Sequence, residues 1–317
     1  MSALAFTVLA VLLVGPAPAL LARAGWPLRA PRAAAVLWQA VAVAAVLSTF
    51  SAGIAIASRL FVPGPDGRPT ATLLGDIDRL GWPRWALYTS VLALTLVVAL
   101  RLTFTVVRVA VGTRRRRARH RALVDLLDVG HPAASQQLTG RLGGELRILE
   151  VERPMAYCLP GMRSRVVVSA GTLNSLDAAE VRAVLSHERA HLRARHDLVL
   201  EAFTALHTAF PRLVRSAHAL NAVRLLVELL ADDIAARAAG PASLARALVT
   251  CAAGPAPAGT LAVSGPSTVL RVRRLSGGGN SRMIAAGAYV AAAAVLTVPT
   301  VALAVPWLTE LHRLFAG

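Results

Sequence analysis

Four long apolar stretches constrain this chain more than any other feature. They run roughly over 3–21, 33–57, 85–111 and 284–305, each close to or above the ~20 residues a helix needs to cross a bilayer's hydrocarbon core. A chain carrying four such stretches buries much of its apolar surface against lipid. Within the hydrocarbon every backbone N–H and C=O must be satisfied inside the segment, so the stretches are expected as helices. Ala17-Pro18-Ala19 would suit a cleavage site, but the basic residues Arg23, Arg29 and Arg32 follow the first stretch, whereas a signal peptide carries them in front.

The basic residues decide orientation. Of 317 residues, 34 are basic and none is lysine, and the net charge is +17. They gather beside the apolar stretches: Arg23, Arg29 and Arg32 after the first, the run from Arg114 to Arg121 after the third, and Arg271, Arg273, Arg274 and Arg282 before the fourth. The loop between the second and third stretches mixes Asp66, Asp76 and Asp78 with Arg68, Arg79 and Arg84. By the positive-inside rule the three basic clusters lie in the cytoplasm and both termini outside. The run at Arg114 is expected as a juxtamembrane helix near anionic headgroups. With no nucleic-acid-binding motif, the charge points to the membrane and not to direct nucleic-acid contact. Cys158 and Cys251, unpaired in any ligand motif, are expected as free thiols.

Residues 1–112 therefore form three spans with short loops, 113–283 a domain facing the cytoplasm, and 284–317 the fourth span with a short outer tail. In the domain, 146–151 and 164–169 read as strands, the second rich in valine, with a turn at Pro160-Gly161. Asp177 with Glu180 three residues on is a capping-box pattern, opening a helix expected to reach about Arg195. An apolar helical stretch follows over 198–220, broken or kinked at Pro211, and then a helix from Asn221 to Gly240-Pro241. Residues 254–265 read as a loop. The fold class is a mainly α membrane protein with an α+β domain between spans three and four.

The predicted helix after Asp177 contains His187-Glu188-Arg189-Ala190-His191. A spacing of four residues turns about 400°, so both imidazoles leave one helix face and can grip one ion. Glu188 then sits beside that ion, able to take a proton from water. A catalytic zinc takes three protein ligands and leaves one position open. Glu228, acidic among apolar neighbours, is the candidate third ligand, although an ion pair with Arg224 would also account for it. Asp232, one turn on, can orient a ligating histidine. His196 competes as third ligand, but its spacing lacks the glycine of the metzincin pattern, so His196 and Asp197 read as supporting residues.

Together these residues resemble the BlaR/MecR-type integral membrane zinc metallopeptidases, a gluzincin family. The resemblance rests on Tyr157-Cys158-Leu159-Pro160-Gly161, the valine-rich strand, the HExxH of His187 to His191, Glu228 with Asp232, and the order of the spans. It implies a zincin-like cytoplasmic domain holding Zn2+ on His187, His191 and Glu228, with Glu188 as catalytic base. It also implies that the strand at Val166–Ser169 is a sheet edge that pairs with extended substrate. Arg271-Val272-Arg273-Arg274-Leu275 resembles the family's segment before the last span, which makes Arg271 a candidate transition-state stabiliser, beside His207 and His218. The penicillin-binding sensor domain has no counterpart after the fourth span here, so the trigger is expected through the outer loop near Asp66 to Arg84, the spans, or a partner. The implied function is cleavage of a cytosolic transcriptional repressor of the penicillinase-repressor type, in signal transduction linked to antibiotic resistance. The alternatives are an HtpX-like quality-control protease and a non-catalytic sensor or scaffold. Oligomeric state, inducing signal and substrate identity lie beyond the sequence.

Overall fold

The computed structural model describes residues 2–60, 62–63, 69–70, 73–128, 145–211, 216–252, 261–262, 267–277 and 280–316. Asp66 and Arg68 of the expected outer loop, and most of the expected loop at 254–265, lie outside them.

The first apolar stretch folds as α1 (Ser2–Val14) and α2 (Pro16–Arg23), divided where Pro16 has no N–H to continue the ladder. A 3-10 turn, Trp26–Arg29, leads into α3 (Pro31–Ala57). After a short antiparallel strand pair, β1 (Val62–Pro63) with β2 (Pro69–Thr70), come α4 (Leu73–Leu80) and α5 (Trp82–Leu127). Near the C-terminus α12 (Arg282–Ala316) carries the fourth stretch. Four of these helical segments, Leu4–Arg23, Pro31–Leu60, Trp82–Leu127 and Arg282–Val301, are long and apolar enough to cross a membrane.

The hub of this bundle is α3, which packs against α1, α5 and α12. Its alanines let neighbours approach closely: Ala34 and Ala44 are fully buried. At Gly53 an added Cβ would collide with the Thr95 side chain of α5.

The helix of the third span continues without a break past 112, through the expected juxtamembrane run at Arg114. Nothing from Trp82 to Leu127 breaks the helical ladder, so α5 runs 46 residues, about 69 Å, into the adjoining domain. There Arg117 pairs with Asp197 at 2.9 Å, Arg121 donates to the Pro160 carbonyl at 2.7 Å, and Asp125 holds Arg147 and Arg165.

The domain's sheet contains β3 (Leu146–Leu149), β4 (Ala156–Leu159), β5 (Arg165–Ser169) and β6 (Leu261–Ala262), in the order β3-β5-β4-β6. The β3–β5 pair is parallel, and β4 runs antiparallel to both β5 and β6. This corrects the reading of the valine-rich strand: β5 is interior, paired on both sides, and offers no free edge. Both faces of the sheet are covered, so its strands read as continuous apolar runs. Val166, Val168 and Ala156 point into one core with Val181, Val184 and Leu185. Val167, Tyr157 and Leu159 point into the other, against Val124 of α5.

The helices are α6 (Ala170–Ser175), α7 (Ala178–Arg193), α8 (His196–Ala209), α9 (Ser216–Ala239), α10 (Pro241–Ala252) and α11 (Thr268–Gly277). As expected, α8 stops before Pro211, but α9 begins at Ser216, earlier than Asn221. The domain leans on the bundle through a shared core: Ala34, Ala35 and Trp38 of α3 pack with Phe203 of α8 and with Ala219, Leu220 and Val223 of α9.

Candidate active site

α7 starts where its sequence specifies. Asp177 Oδ1 accepts from the N–H groups of Ala179 and Glu180, both at 2.8 Å, while Glu180 Oε2 accepts from Asp177 N at 3.0 Å. Arg246 of α10 adds a 2.6 Å bond to Glu180. The anchored helix presents His187 and His191 from one face, into the space below α9.

The two Nε2 atoms lie 3.1 Å apart. Glu228, projecting from α9, places Oε2 3.4 Å from His187 Nε2 and Oε1 3.6 Å from His191 Nε2. Ligands about 2.0–2.1 Å from a tetrahedral ion sit about 3.3 Å from one another, and one ligand atom from each of the three residues lies within 4.8 Å of the others, close enough for a single ion to draw together. These are the residues that could hold a metal, and the donor set of two imidazoles and one carboxylate suits a divalent transition ion. Glu228 turns to His187, His191 and Arg271, while Arg224, one turn earlier on the same face of α9, is exposed.

A second layer of polar residues fixes the first. Asp232 Oδ1 lies 3.1 Å from His187 Nδ1, leaving Nε2 to face the ion. Arg271 of α11 grips Asp232 with Nε and Nη2, at 2.7 and 2.6 Å, and reaches Glu228 Oε2 with Nη1 at 3.0 Å. Its guanidinium, 1% exposed, therefore acts on the carboxylates around the ligands. On the other side His196 Nδ1 lies 3.0 Å from His191 Nδ1. The tight reversal that permits this is at Arg195, whose φ of 52° is left-handed and breaks α7 from α8. Of the other oxyanion candidates, His207 bonds Ser216 at 2.9 Å and His218 is exposed on α9.

The electrostatics follow from burial. Burial raises the Glu188 carboxyl to about 7, above the ordinary carboxylate range. One of its oxygens has no hydrogen-bond partner, and the carboxylate also meets the Cys158 thiol of β4. A buried carboxylate with a vacant acceptor beside three ligand atoms is suited to take a proton from water. Burial works against the charge on Glu228 too, but His191, His187 and Arg271 outweigh it and hold the carboxyl at about 2. Burial pushes His191 down to about 3, in the neutral form a ligand needs.

Cys158 escaped the sequence reading as a site residue. It was visible in Tyr157-Cys158-Leu159-Pro160, but only the pleat of β4 reveals that Ala156 and Cys158 face α7 while Tyr157 and Leu159 face α5. Both cysteines are free and buried.

The fold and the site together define a class: a mainly helical chain with apolar, membrane-length helices, carrying a peptidase-like set of residues that could hold a metal. Residues 133–278 match the family model described as peptidase family M48. The matched segment holds His187, Glu188, His191, Glu228, Asp232 and Arg271, so the match supports a metallopeptidase. No curated protein and no solved structure matches the chain.

Proposed function

We propose that this protein is a zinc endopeptidase of the membrane, whose site faces the cytoplasm and cuts a cytosolic protein. The observation that carries the reading is the convergence of His187 Nε2, His191 Nε2 and the Glu228 carboxylate on one point, with the Glu188 carboxylate beside it. Zinc held there supplies Lewis acidity toward water and the scissile carbonyl. Glu188 takes the proton of the attacking water and delivers it to the departing amine, a role its buried carboxylate suits near neutral pH. Asp232 and His196 keep both imidazoles turned toward the ion. Arg271 balances the charge of Glu228 and Asp232 and so positions the ligand set.

For the substrate we propose a transcriptional repressor of the penicillinase-repressor type, which the BlaR/MecR-like pattern of span order and motifs supports. A second reading is an HtpX-like protease that trims membrane proteins. The observation favouring it is the packing of α8 and α9 onto Trp38 of α3, which keeps the catalytic domain against the bilayer.

The test uses full-length protein and its Glu228→Ala and Glu188→Gln variants. Zinc bound by wild type and by Glu188→Gln, but lost from Glu228→Ala, is the expected pattern. Wild type without zinc, or zinc indifferent to Glu228, would overturn the ligand assignment. Glu188→Gln then serves as a trap: one dominant captured protein favours the repressor reading, and many unrelated membrane proteins the second.

A further inference from the structure

The bonds between α8 and the third span fix how high the metal-ligand residues stand along that span. α8 runs antiparallel to α5 and is tied to it at both ends. Asp197, in its first turn, pairs with Arg117 at 2.9 Å, and the carbonyl of Ala209, its last residue, accepts from Arg101 Nε at 2.7 Å. Arg101 lies inside the third apolar stretch, ten residues before its end at Val111, a rise of about 15 Å. That is half of a hydrocarbon core about 30 Å thick. α9 starts level with the end of α8, since Ser216 Oγ bonds the Phe210 carbonyl at 3.2 Å and His207 Nδ1 at 2.9 Å. Through α3 the same level is reached independently: Trp38, five residues inside the second apolar stretch, packs with Phe203 of α8 and Ala219 of α9. A carbonyl at the end of a helix has no partner within that helix, and lipid tails supply none, so the donation from Arg101 is what such a depth demands.

From this level both helices climb toward the site. α8 rises about 18 Å from Ala209 to Asp197, and α9 rises about 18 Å from Ser216 to Glu228. Next to Asp197, His196 Nδ1 lies 3.0 Å from His191 Nδ1. Arg117, six residues beyond Val111, limits the height of the site to about 9 Å past the end of the apolar stretch. Of the three candidate ligands Glu228 alone is partly exposed, so the site opens along the face of α9 that carries it. Asn221 and Arg224 continue that face downward, and both are exposed. Asn221 stands only about 8 Å above Ser216, still level with the apolar stretch of α5. A polar stripe at this level is mismatched to acyl chains. It suits an unwound polypeptide, whose N–H and C=O groups need partners that lipid cannot give.

We propose that α8 and α9 dip into the leaflet beside the peptidase domain, and that the stripe of α9 receives a membrane-anchored polypeptide next to its transmembrane segment. The substrate is then selected by height. Its scissile bond lies within about 9 Å of the hydrocarbon edge, about three residues of extended chain. This rests on the membrane-peptidase reading and extends the second of its two substrate classes.

The experiment places full-length protein in phosphatidylcholine–phosphatidylglycerol vesicles with a synthetic peptide that has one transmembrane helix and a soluble extension. The extension is a repeated hexapeptide, so each kind of bond recurs at several distances from the bilayer. Fragment masses should place the cuts in the first repeat, about three residues from the helix end. The extension without its anchor should be cut about tenfold more slowly or worse. Cuts spread evenly along the repeats, or a free extension cut as fast as the anchored one, would overturn selection by height. A second readout needs no turnover. Asn221→Cys carrying a photo-crosslinker, in Glu188→Gln protein, should capture the anchored peptide through the residues bordering its helix. Capture of lipid alone, or of the free extension equally well, would overturn the role of the stripe. Depth is read from a fluorophore on Thr208→Cys, near the far end of α8. Lipids brominated near the ends of their acyl chains should quench it more than lipids brominated near the headgroup, and the reverse order would overturn the dip. Circular dichroism and metal content on the same samples identify any variant that fails to fold. Wild type that binds metal and cuts neither peptide would count against the peptidase reading, while crosslinking and quenching still decide the placement.

Discussion

Glu188 and the two histidines that flank it do separable work, and substitution should part them. Glu188→Gln keeps the shape of the side chain and all three ligands, so metal stays while the proton acceptor is lost. Peptidase activity should fall by about 10²–10⁴-fold at unchanged metal content, measured on a quenched peptide. Asp232→Ala frees the His187 ring and should weaken metal affinity by about 10–100-fold. The pH dependence of that affinity has a definite sign. Burial opposes a proton on His187, but Asp232 and Glu228 outweigh it and hold the metal-free imidazole up at about 9. That proton competes with the ion for Nε2, so apparent affinity should weaken as pH falls through the neutral range, about tenfold per unit for one proton. His191, already neutral there, adds nothing to the slope. Chelator competition at several pH values checks this, and a flat profile would mean that His187 carries no proton.

At the scale of elements, α11 and the turn into α6 carry the sharpest consequences. Removing Arg271 leaves the buried Asp232 and Glu228 to share the His187 imidazolium, which costs up to about 3–5 kcal/mol. Arg271→Lys cannot reproduce the two-pronged grip on Asp232 and should recover only part of that stability. Denaturant unfolding of the metal-free protein would rank wild type above Arg271→Lys above Arg271→Ala. The start of α6 has no slack: a Cβ on Gly171 would collide with the Glu152 carbonyl, a backbone atom that cannot swing aside. Gly171→Ala should therefore displace the segment that joins β3 to β4 and lower the melting temperature. A variant as stable as wild type would show that the segment can yield.

For the whole molecule, arginine placement predicts which face each loop shows. Cys158 and Cys251 are buried, so a new surface cysteine would be labelled over a low background. In intact cells a membrane-impermeant maleimide should reach Arg84→Cys, before the third span. It should reach Ser276→Cys, on α11, only after permeabilisation. The reverse pattern would put the catalytic site outside and exclude a cytosolic substrate. Arg274 joins the two halves: it bonds Asp233 of α9 and donates from Nε to the Leu28 carbonyl, between the first two spans, at 2.8 Å.

The number and position of the apolar helices, the capping box at Asp177, and the pair His187 and His191 were legible in the sequence. Each depends on contacts within a few residues, namely a hydrophobic run, a side chain meeting its own helix's N–H groups, or a spacing of one turn. The strand order was not legible, because which neighbour β5 takes is decided by chain brought back from elsewhere, and Val166–Ser169 reads the same at an edge or in the middle. Nor was the continuation of α5 to Leu127, since a charged run after an apolar one fits either a break or a helix that finds acidic partners, here Asp197 and Asp125. Sequence alone left Glu228 open between Arg224 and a metal, and left Arg271 and Cys158 without an address. Only the packing of α9 and α11 over α7, and the pleat of β4 beneath it, brought Glu228, Arg271 and Cys158 to one site.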